Sequence, residues 1–222
     1  MHAATFIKSA SEPKGFPPDD GAEVAFVGRS NSGKSSAVNA VTGTRKLARV
    51  SKTAGRTQLV NFFQVAADRR VVDLPGYGFA RVAPEVRQRW RGLLEGYFRA
   101  RRSLRGIVVT VDIRRGLKEL DEVMIDWAAA LDLPVLLLLT KSDKLGRSAI
   151  ARQRAEVEKA AARRRSDSEV LVFSALTTEG VDEARAVLER WFQRPPTGTL
   201  PNERASKERK PRAWDSGDMP GA

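Results

Sequence analysis

The chain has 222 residues, 41% hydrophobic and 30% charged, which is the composition of a globular domain large enough to bury a full core. Its net charge of +12 favours polyanionic partners such as nucleic acid, and its lack of cysteine excludes disulfides, thiolate metal sites and cysteine nucleophiles. The single histidine is His2, so we expect no chemistry that depends on histidine. No apolar run could span a bilayer and no apolar leader is visible, so we expect a cytoplasmic protein.

Short apolar runs alternate with longer amphipathic segments, a pattern typical of βα units around a mostly parallel sheet. The runs GIVVTVD and PVLLLLT are almost wholly apolar, as expected for strands that helices cover on both faces. The tight link AADR between two apolar segments predicts an antiparallel hairpin at one edge. In chain order, the predicted strands are 23–27, 59–65, 70–74, 106–111, 134–139 and 169–173, with a further short strand near 5–8, and the predicted helices are 34–41, 84–101, 118–130, 148–163 and 181–192.

These elements predict an α/β fold with three layers, α/β/α, and a mostly parallel sheet of six or seven strands with one antiparallel edge strand. We divide the chain into an N-terminal segment with an edge strand, 1–20, a main domain, 21–193, and a tail, 194–222. The tail is rich in proline, glycine and charge, so it buries too little apolar surface to fold and is predicted to be disordered. Because the tail contains six Lys/Arg and four Asp/Glu, most of the excess positive charge belongs to the main domain.

A phosphate-binding loop is predicted where the strand EVAFV passes into a helix, because GRSNSGKS matches the pattern G-x-x-x-x-G-K-[ST]. Its backbone N–H groups and the helix N-terminus would surround the β-phosphate, and Lys34 would bridge the β- and γ-phosphates. The Ser35 hydroxyl would ligate Mg²⁺. The alternative is an ordinary βα turn with a surface lysine. All eight residues are candidate nucleotide contacts: Gly28, Arg29, Ser30, Asn31, Ser32, Gly33, Lys34 and Ser35.

The stretch VDLPGYG supplies a D-x-x-G motif at the end of another apolar strand. Asp73 could hold Mg²⁺ through water, and the Gly76 N–H could meet the γ-phosphate. The same pattern recurs at 143–146 and 218–221, but only Asp73 follows a buried strand in the right order after the loop. The alternative is a plain turn with a capping aspartate. The candidate contacts are Asp73, Leu74, Pro75 and Gly76.

Two further motifs follow the last two predicted strands and point to a guanine base. A carboxylate at Asp143, in TKSD, can accept hydrogen bonds from the N1–H and exocyclic amine of guanine, whereas adenine offers neither donor. The backbone of FSA could contact the guanine carbonyl oxygen. Since ligands of open α/β sheets bind at the carboxyl ends of strands, the four motifs together predict a GTPase domain. The candidate base contacts are Thr140, Lys141, Ser142, Asp143, Phe173, Ser174 and Ala175.

The stretches GRSNSGKSS, SKTAGRTQLVNFF, DLPGYGFA, DIRRGLKELD, LTKSDKL and FSAL together resemble the EngB (YihA/YsxC-type) GTP-binding protein family, of the TrmE–Era–EngA–Septin-like GTPase group. The resemblance implies a P-loop NTPase fold, GTP/GDP and Mg²⁺ binding, and a role in large ribosomal subunit assembly, with a link to cell division and septation. It makes Thr57 a second Mg²⁺ ligand beside Ser35, and Lys34, Thr57 and Gly76 the catalytic set. Ala54 replaces the family's usual proline. The implied switch I contacts are Gly55, Arg56, Thr57, Gln58 and Leu59.

Tyr77 occupies the position where Ras-like GTPases have the glutamine that orients the attacking water. We therefore expect slow intrinsic hydrolysis, with the barrier lowered mainly by Mg²⁺, Lys34 and the loop amides. A hypothesis is that Asn31 helps to hold K⁺ near the phosphates; the alternative is that Asn31 only stabilises the loop.

Basic residues gather around switch I and after the D-x-x-G motif, which is switch II in GTPases. This suggests a surface for ribosomal RNA that the nucleotide arranges, although a charge run is also typical of a plain solvated face. A P-loop ATPase or small-molecule kinase, and an RNA-binding protein that uses nucleotide only structurally, are the competing hypotheses. We expect a monomer without membrane binding. The basic residues are Arg45, Lys46, Arg49, Lys52 and Arg56, then Arg81, Arg87, Arg89 and Arg91.

Overall fold

The computed structural model describes residues 4–48, 59–78, 84–165 and 167–196, without the side chains of 84–87. This part of the chain forms seven strands and five α-helices, and the strands alternate with the helices from α2 onward. The strands are β1 (Thr5–Ala10), β2 (Ala22–Gly28), β3 (Val60–Ala66), β4 (Arg69–Asp73), β5 (Leu104–Asp112), β6 (Val135–Thr140) and β7 (Glu169–Val172). The helices are α1 (Lys34–Thr42), α2 (Pro84–Ala100), α3 (Glu119–Ala130), α4 (Arg147–Ala162) and α5 (Val181–Phe192).

The strands form one sheet in the order β1-β3-β4-β2-β5-β6-β7. The neighbouring strands β4, β2, β5, β6 and β7 all run parallel, whereas β3 is antiparallel to both of its neighbours, β1 and β4. The predicted α/β fold with a mostly parallel sheet is thereby confirmed. The hairpin of β3 and β4 does not itself form the edge, because β1 pairs along the outer side of β3.

Helices cover both faces of the sheet, and the alternation of side chains along each strand divides the core in two. On β2, Val24 and Phe26 face α1 and α5, while Ala25 and Val27 face α2, α3 and α4. Every residue of β5 is buried, as its apolar sequence predicted. The close packing of α5 depends on Gly106, because a β-carbon there would overlap the ring of Trp191.

A charged cluster closes the amino end of the sheet. The Glu23 carboxylate, with no exposed surface, accepts hydrogen bonds from Arg70 Nε at 2.9 Å, Arg101 Nε at 3.1 Å and the Tyr97 hydroxyl at 3.0 Å. Arg101 also donates to the Pro17 carbonyl at 2.8 Å, in the link between β1 and β2. We call Glu23, Arg70, Arg101 and Tyr97 the basal cluster. It joins α2 and the N-terminal link to the centre of the sheet.

The parallel strands bring their carboxyl ends to the opposite edge, where the predicted motifs lie. Since β3 runs the other way, Leu59 and the start of β3 reach this edge too. No helix in the described part of the chain is long and apolar enough to span a membrane.

Candidate functional site

The phosphate-loop segment follows β2 and is anchored to its neighbours by hydroxyl groups. Ser32 Oγ lies 2.7 Å from Thr110 Oγ1 on β5, and the Thr140 hydroxyl donates to the Ser32 carbonyl from the end of β6. A side chain at Gly28 would overlap the Thr110 hydroxyl, so this position requires glycine. Gly33 has φ of 93°, in the left-handed region, and α1 begins at the next residue. The loop thus leads into a helix N-terminus, which can bind an anion.

Lys34 and Asp73 meet across this edge of the sheet. Lys34 Nζ contacts Asp73 Oδ1, and the two side chains are only 11% and 8% exposed. Asn61 Nδ2 donates to the second carboxylate oxygen of Asp73 at 3.4 Å, and Ser9 Oγ donates to Asn61 Oδ1 at 2.6 Å. Sequence reasoning missed Asn61 and Ser9. The available signal was a lone amide inside the apolar strand LVNFF, in register with Asp73.

Of the oxygen groups that the sequence proposed for Mg²⁺, Ser35 as a ligand and Asp73 through water lie on two adjoining elements, whereas Thr57 lies outside the described residues. Ser35 lies in the first turn of α1, directly after Lys34, and Asp73 ends β4. Hydroxyl and carboxylate oxygens are the hard ligands that Mg²⁺ prefers, and the ion usually keeps several waters. This donor set therefore fits the ion, although no group of three or more acidic or histidine side chains suited to a metal occurs within the described ranges.

The D-x-x-G turn lies against the phosphate-loop segment. The Ser30 N–H donates to the Tyr77 carbonyl at 2.8 Å, and the Tyr77 N–H donates to the Gly28 carbonyl at 3.2 Å. A β-carbon at Gly76 would lie 3.6 Å from Ser30 N, which shows how closely the two backbones approach. Leu74 is buried, and Trp90 Nε1 on α2 donates to the Pro75 carbonyl at 3.2 Å.

Tyr77 points away from the loop and into the core. Its hydroxyl donates to Asp121 Oδ1 on α3 at 2.7 Å, and each residue is 1% exposed. The Lys118 N–H donates to Asp121 Oδ2 at 3.0 Å. Burial raises the pKa of Asp121 to about 6, although these two hydrogen bonds and the charge of Arg29 act to lower it. Sequence reasoning considered Tyr77 only as a replaced glutamine and missed Asp121.

A second lysine connects the strand ends on the other side of the loop. Lys141 Nζ donates to the Asn31 carbonyl at 2.5 Å and to Asp112 Oδ2 at 2.9 Å. Although burial acts to raise it, hydrogen bonds from Arg114 and Lys141 hold the pKa of Asp112 well below its usual value. Asp112, which ends the run GIVVTVD, was missed as a site residue despite its position at a strand end.

The segments TKSD and FSAL meet at the proposed base-binding end. Ser174 Oγ donates to Asp143 Oδ1 at 2.8 Å, and this bond, together with Lys144, lowers the pKa of Asp143. Glu179 braces both segments: its carboxylate accepts from Ser142 Oγ at 2.6 Å, and its carbonyl accepts from the Ser174 N–H at 3.0 Å. Glu179 was not found from the sequence, because nothing in TTEG marks it as a brace.

Phe173 and Ala175 flank Ser174 at the end of β7; Phe173 is buried and Ala175 is exposed. Several predicted residues lie outside the described residues: Gly55, Arg56, Thr57 and Gln58, together with Arg49, Lys52 and Arg81, the side chain of Arg87 and nearly all of the tail. Among the described residues, the predicted contacts Leu59, Arg45, Lys46 and Arg89 are exposed, and Arg91 forms an ion pair with Glu95.

Comparison with known proteins identifies the family of the chain. Residues 23–141 match the family model described as 50S ribosome-binding GTPase. The chain is 49% identical over 193 residues to a probable GTP-binding protein EngB of Coxiella burnetii, covering 87% of this chain and 94% of that protein. It is 51% identical over 187 residues to the protein of the same description from Enterobacter sp., covering 84% and 90%.

Solved structures share the fold. The crystal structure of a probable GTP-binding protein EngB superimposes with a TM-score of 0.63 at 21% identity, covering 78% of this chain and 99% of that one. A point variant of Aquifex aeolicus Era, solved with GDP·AlF4⁻, gives 0.61 at 22% identity, covering 81% and 58%. The sequence identities to the curated relatives, over nearly their whole length, identify the family: this chain belongs to the EngB family of GTP-binding proteins.

Proposed function

We propose that this protein is a cytoplasmic GTPase switch that hydrolyses GTP slowly to GDP and phosphate. It acts on an assembling large ribosomal subunit, with a consequence for cell division and septation. We further propose that residues 21–193 form the GTPase domain, that it works as a monomer without membrane binding, and that the tail is not part of the nucleotide site. Membership of a GTP-binding family whose domain description names ribosome binding supports the general assignment.

The observation that carries the guanine assignment is the fixed position of Asp143. Ser174 Oγ holds one carboxylate oxygen at 2.8 Å, and Glu179 braces the segments on which both residues lie. A carboxylate held in this way can accept from the two donors of guanine. Adenine offers neither donor, so it would gain neither bond, and a hydrogen bond to a charged group contributes about 1.5–3 kcal/mol.

The phosphates would bind between Lys34 and the loop amides from Gly28 to Ser35. The Lys34 ammonium contacts Asp73, so it is already directed across the mouth of the loop. Mg²⁺, held by Ser35 and Thr57 and through water by Asp73, would neutralise charge on the phosphate oxygens. Because the Tyr77 hydroxyl is directed to Asp121 in the core, it supplies no group to orient the attacking water, which supports slow turnover.

The ribosomal partner is proposed to be ribosomal RNA, contacted by basic residues near the site. Of these, Arg45, Lys46 and Arg89 are exposed, so their charge is available to phosphates. Contacts of this kind weaken as the salt concentration rises, because the release of counterions from the RNA then gains less free energy. Nucleotide-dependent order in the switch segments would then set the affinity for RNA.

Sedimentation of the full-length protein with large ribosomal subunits tests the switch. We expect co-sedimentation with a non-hydrolysable GTP analogue to exceed that with GDP and to fall steeply between about 50 and 200 mM salt. Parallel GTP turnover should be slow and should vanish in Lys34→Ala. Equal sedimentation with both nucleotides, or no turnover in the wild type, would contradict the proposal. Turnover that rises when K⁺ replaces Na⁺ would support an ion near Asn31, and equal rates would favour a purely structural Asn31.

A further inference from the structure

Tyr77 is held at three points, and together they determine the position of the preceding Gly76. Its N–H donates to the Gly28 carbonyl and its carbonyl accepts from the Ser30 N–H, so its backbone is attached to the phosphate-loop segment. Its hydroxyl donates to Asp121 Oδ1 at 2.7 Å, so its side chain is attached to α3. A residue fixed at both backbone and side chain leaves its neighbour few backbone conformations.

Asp121 serves this contact while it is itself buried. One carboxylate oxygen accepts the Lys118 N–H at the start of α3, which is an ordinary helix cap, but the other accepts the Tyr77 hydroxyl. Capping alone does not require burial, since caps commonly lie at the surface, and a buried carboxylate is costly unless it is well partnered. The second oxygen therefore has a use that helix capping does not explain.

The groups around this pair connect it to the phosphate-loop segment. The Arg29 guanidinium lies beside Gly78, where a β-carbon would be 2.9 Å from Arg29 Nε, and its charge acts on both Tyr77 and Asp121. Trp90 packs on the Tyr77 ring with centroids 5.9 Å apart. The turn is thus held by the loop, by α2 and by α3, whereas Gly76 itself has no side chain with which to hold a position.

We propose that Asp121 is a positioning residue for recognition of the terminal phosphate: through the Tyr77 hydroxyl it fixes Gly76, so that the Gly76 N–H meets a γ-phosphate. The pair then sets the preference for GTP over GDP. This rests on the proposed function, and it assigns to α3 a part in nucleotide discrimination. GDP, which lacks the γ-phosphate, gains nothing from the pair.

The basal cluster offers a matched control. Tyr97 is also a fully buried tyrosine, and its hydroxyl donates to a buried carboxylate, Glu23, at 3.0 Å. That pair lies at the amino end of the sheet, away from the candidate site. Tyr97→Phe and Tyr77→Phe therefore remove the same atom from the same kind of bond in two places, and only one of them is connected to Gly76.

The experiment measures Kd for GDP and for a non-hydrolysable GTP analogue, both with Mg²⁺, on the full-length wild type and on Tyr77→Phe, Asp121→Asn, the double variant and Tyr97→Phe. We expect Tyr77→Phe to reduce the ratio of GDP Kd to analogue Kd roughly tenfold, the usual effect of losing a hydrogen bond to a charged group. The GDP Kd itself should change little. The ratio should fall no further in the double variant than in Tyr77→Phe, because the two substitutions act on the same hydrogen bond.

Each outcome decides a separate point. An unchanged ratio in Tyr77→Phe and Asp121→Asn, with intact GDP binding, would overturn the inference and leave the proposed function standing. An equal fall of the ratio in Tyr97→Phe would overturn it too, since a general loss of stability would then be the cause. Failure of the wild type to bind GDP would remove the proposed function first. If Tyr77→Phe does not fold, Asp121→Ala decides, because alanine has no acceptor for the Tyr77 hydroxyl.

Discussion

At the amino end of the sheet, Glu23 accepts hydrogen bonds from two guanidinium groups and a phenol, and it has no exposed surface. At the carboxyl end, Asp73 and Asp143 each meet one lysine together with an amide or a hydroxyl. Guanidinium groups are rigid and donate several bonds at once, whereas lysine is a point charge on a flexible stem. One end of the sheet is built to stay closed, and the other can exchange its partners for a ligand.

This difference explains why both ends contain charge although only one carries the motifs. The basal cluster connects four parts of the fold and leaves no carboxylate oxygen for a ligand. At the site, Lys34 and Lys141 have partners that phosphates or a base could replace or share. Removing one group at a time, with stability and binding measured separately, tests this difference between the two ends of the sheet.

The largest effect is expected at the basal cluster. Glu23→Ala would remove the buried carboxylate that Arg70 and Arg101 share and leave each with a more exposed aspartate, Asp20 or Asp19. Removing one partner of a buried ion pair typically costs about 3–5 kcal/mol of unfolding free energy. Urea denaturation measures it. The affinity of the folded fraction for GDP should stay the same, because the cluster lies at the opposite end of the sheet. A small stability loss with a large loss of GDP affinity would reverse the roles given to the two ends.

A smaller effect, and one that depends on pH, is expected at Asp121. Its pKa of about 6 in the folded protein exceeds the ordinary aspartate value of 3.8, so the folded state binds more protons between these values and the free energy of unfolding falls as pH rises through that window. The full loss, about 3 kcal/mol, is present above pH 6. Asparagine does not titrate, so Asp121→Asn does not undergo this loss of stability. Its free energy of unfolding relative to the wild type should therefore increase by up to about 3 kcal/mol from about pH 4 to about pH 7.

Urea titrations of both proteins at several pH values provide the measurement for Asp121. Other titrating groups are common to the two proteins and cancel in the difference. A difference that does not change with pH would show that the Asp121 carboxylate is ionised throughout. That result would remove the argument that this carboxylate is held at a cost to stability.

The smallest effect is expected at Glu179, which holds the proposed base-binding segments through Ser142 and Ser174. Glu179→Ala would remove the acceptor of the Ser142 hydroxyl while keeping the carbonyl that holds Ser174, a net loss of about 0.5–1.5 kcal/mol. The preference for GDP over ADP should fall by about three- to tenfold. Glu158→Ala, which breaks an exposed ion pair with Arg154 on α4, is the matched control and should leave the preference unchanged. Equal effects of the two changes would show that Glu179 does not act on the site.

Much of the fold could be predicted from the sequence because its signals are local. Apolar runs, amphipathic segments and the loop motif identified the strands, the helices and the edge at which the motifs meet. Whether a strand covers the outer side of β3 depends on pairing between segments far apart in sequence, and the exposed residues of β1 gave only a weak signal.

The contacts that support the candidate site were harder to find. Asn61, Asp112, Asp121 and Glu179 lie on four different segments, and each acts on a motif residue distant in sequence. Their polar side chains are ordinary in strands, helix caps and loops. The lone amide in LVNFF and the strand-end position of Asp112 were local signals, but neither indicates which residue is the partner. Only the arrangement in three dimensions shows that Tyr77, interpreted from the sequence as a substituted glutamine, belongs with Asp121 rather than with the phosphates.

The most direct test of the central claim, a guanine site at Asp143, is a titration of the wild type and of Asp143→Asn with GDP, ADP and XDP in Mg²⁺. The wild type should bind GDP in strong preference to the others. In the variant the amide would face the guanine amine with a donor, so GDP should weaken, while XDP, which carries an oxygen there, should gain. Equal binding of ADP by the wild type, or a variant that keeps its GDP affinity and gains none for XDP, would contradict the assignment.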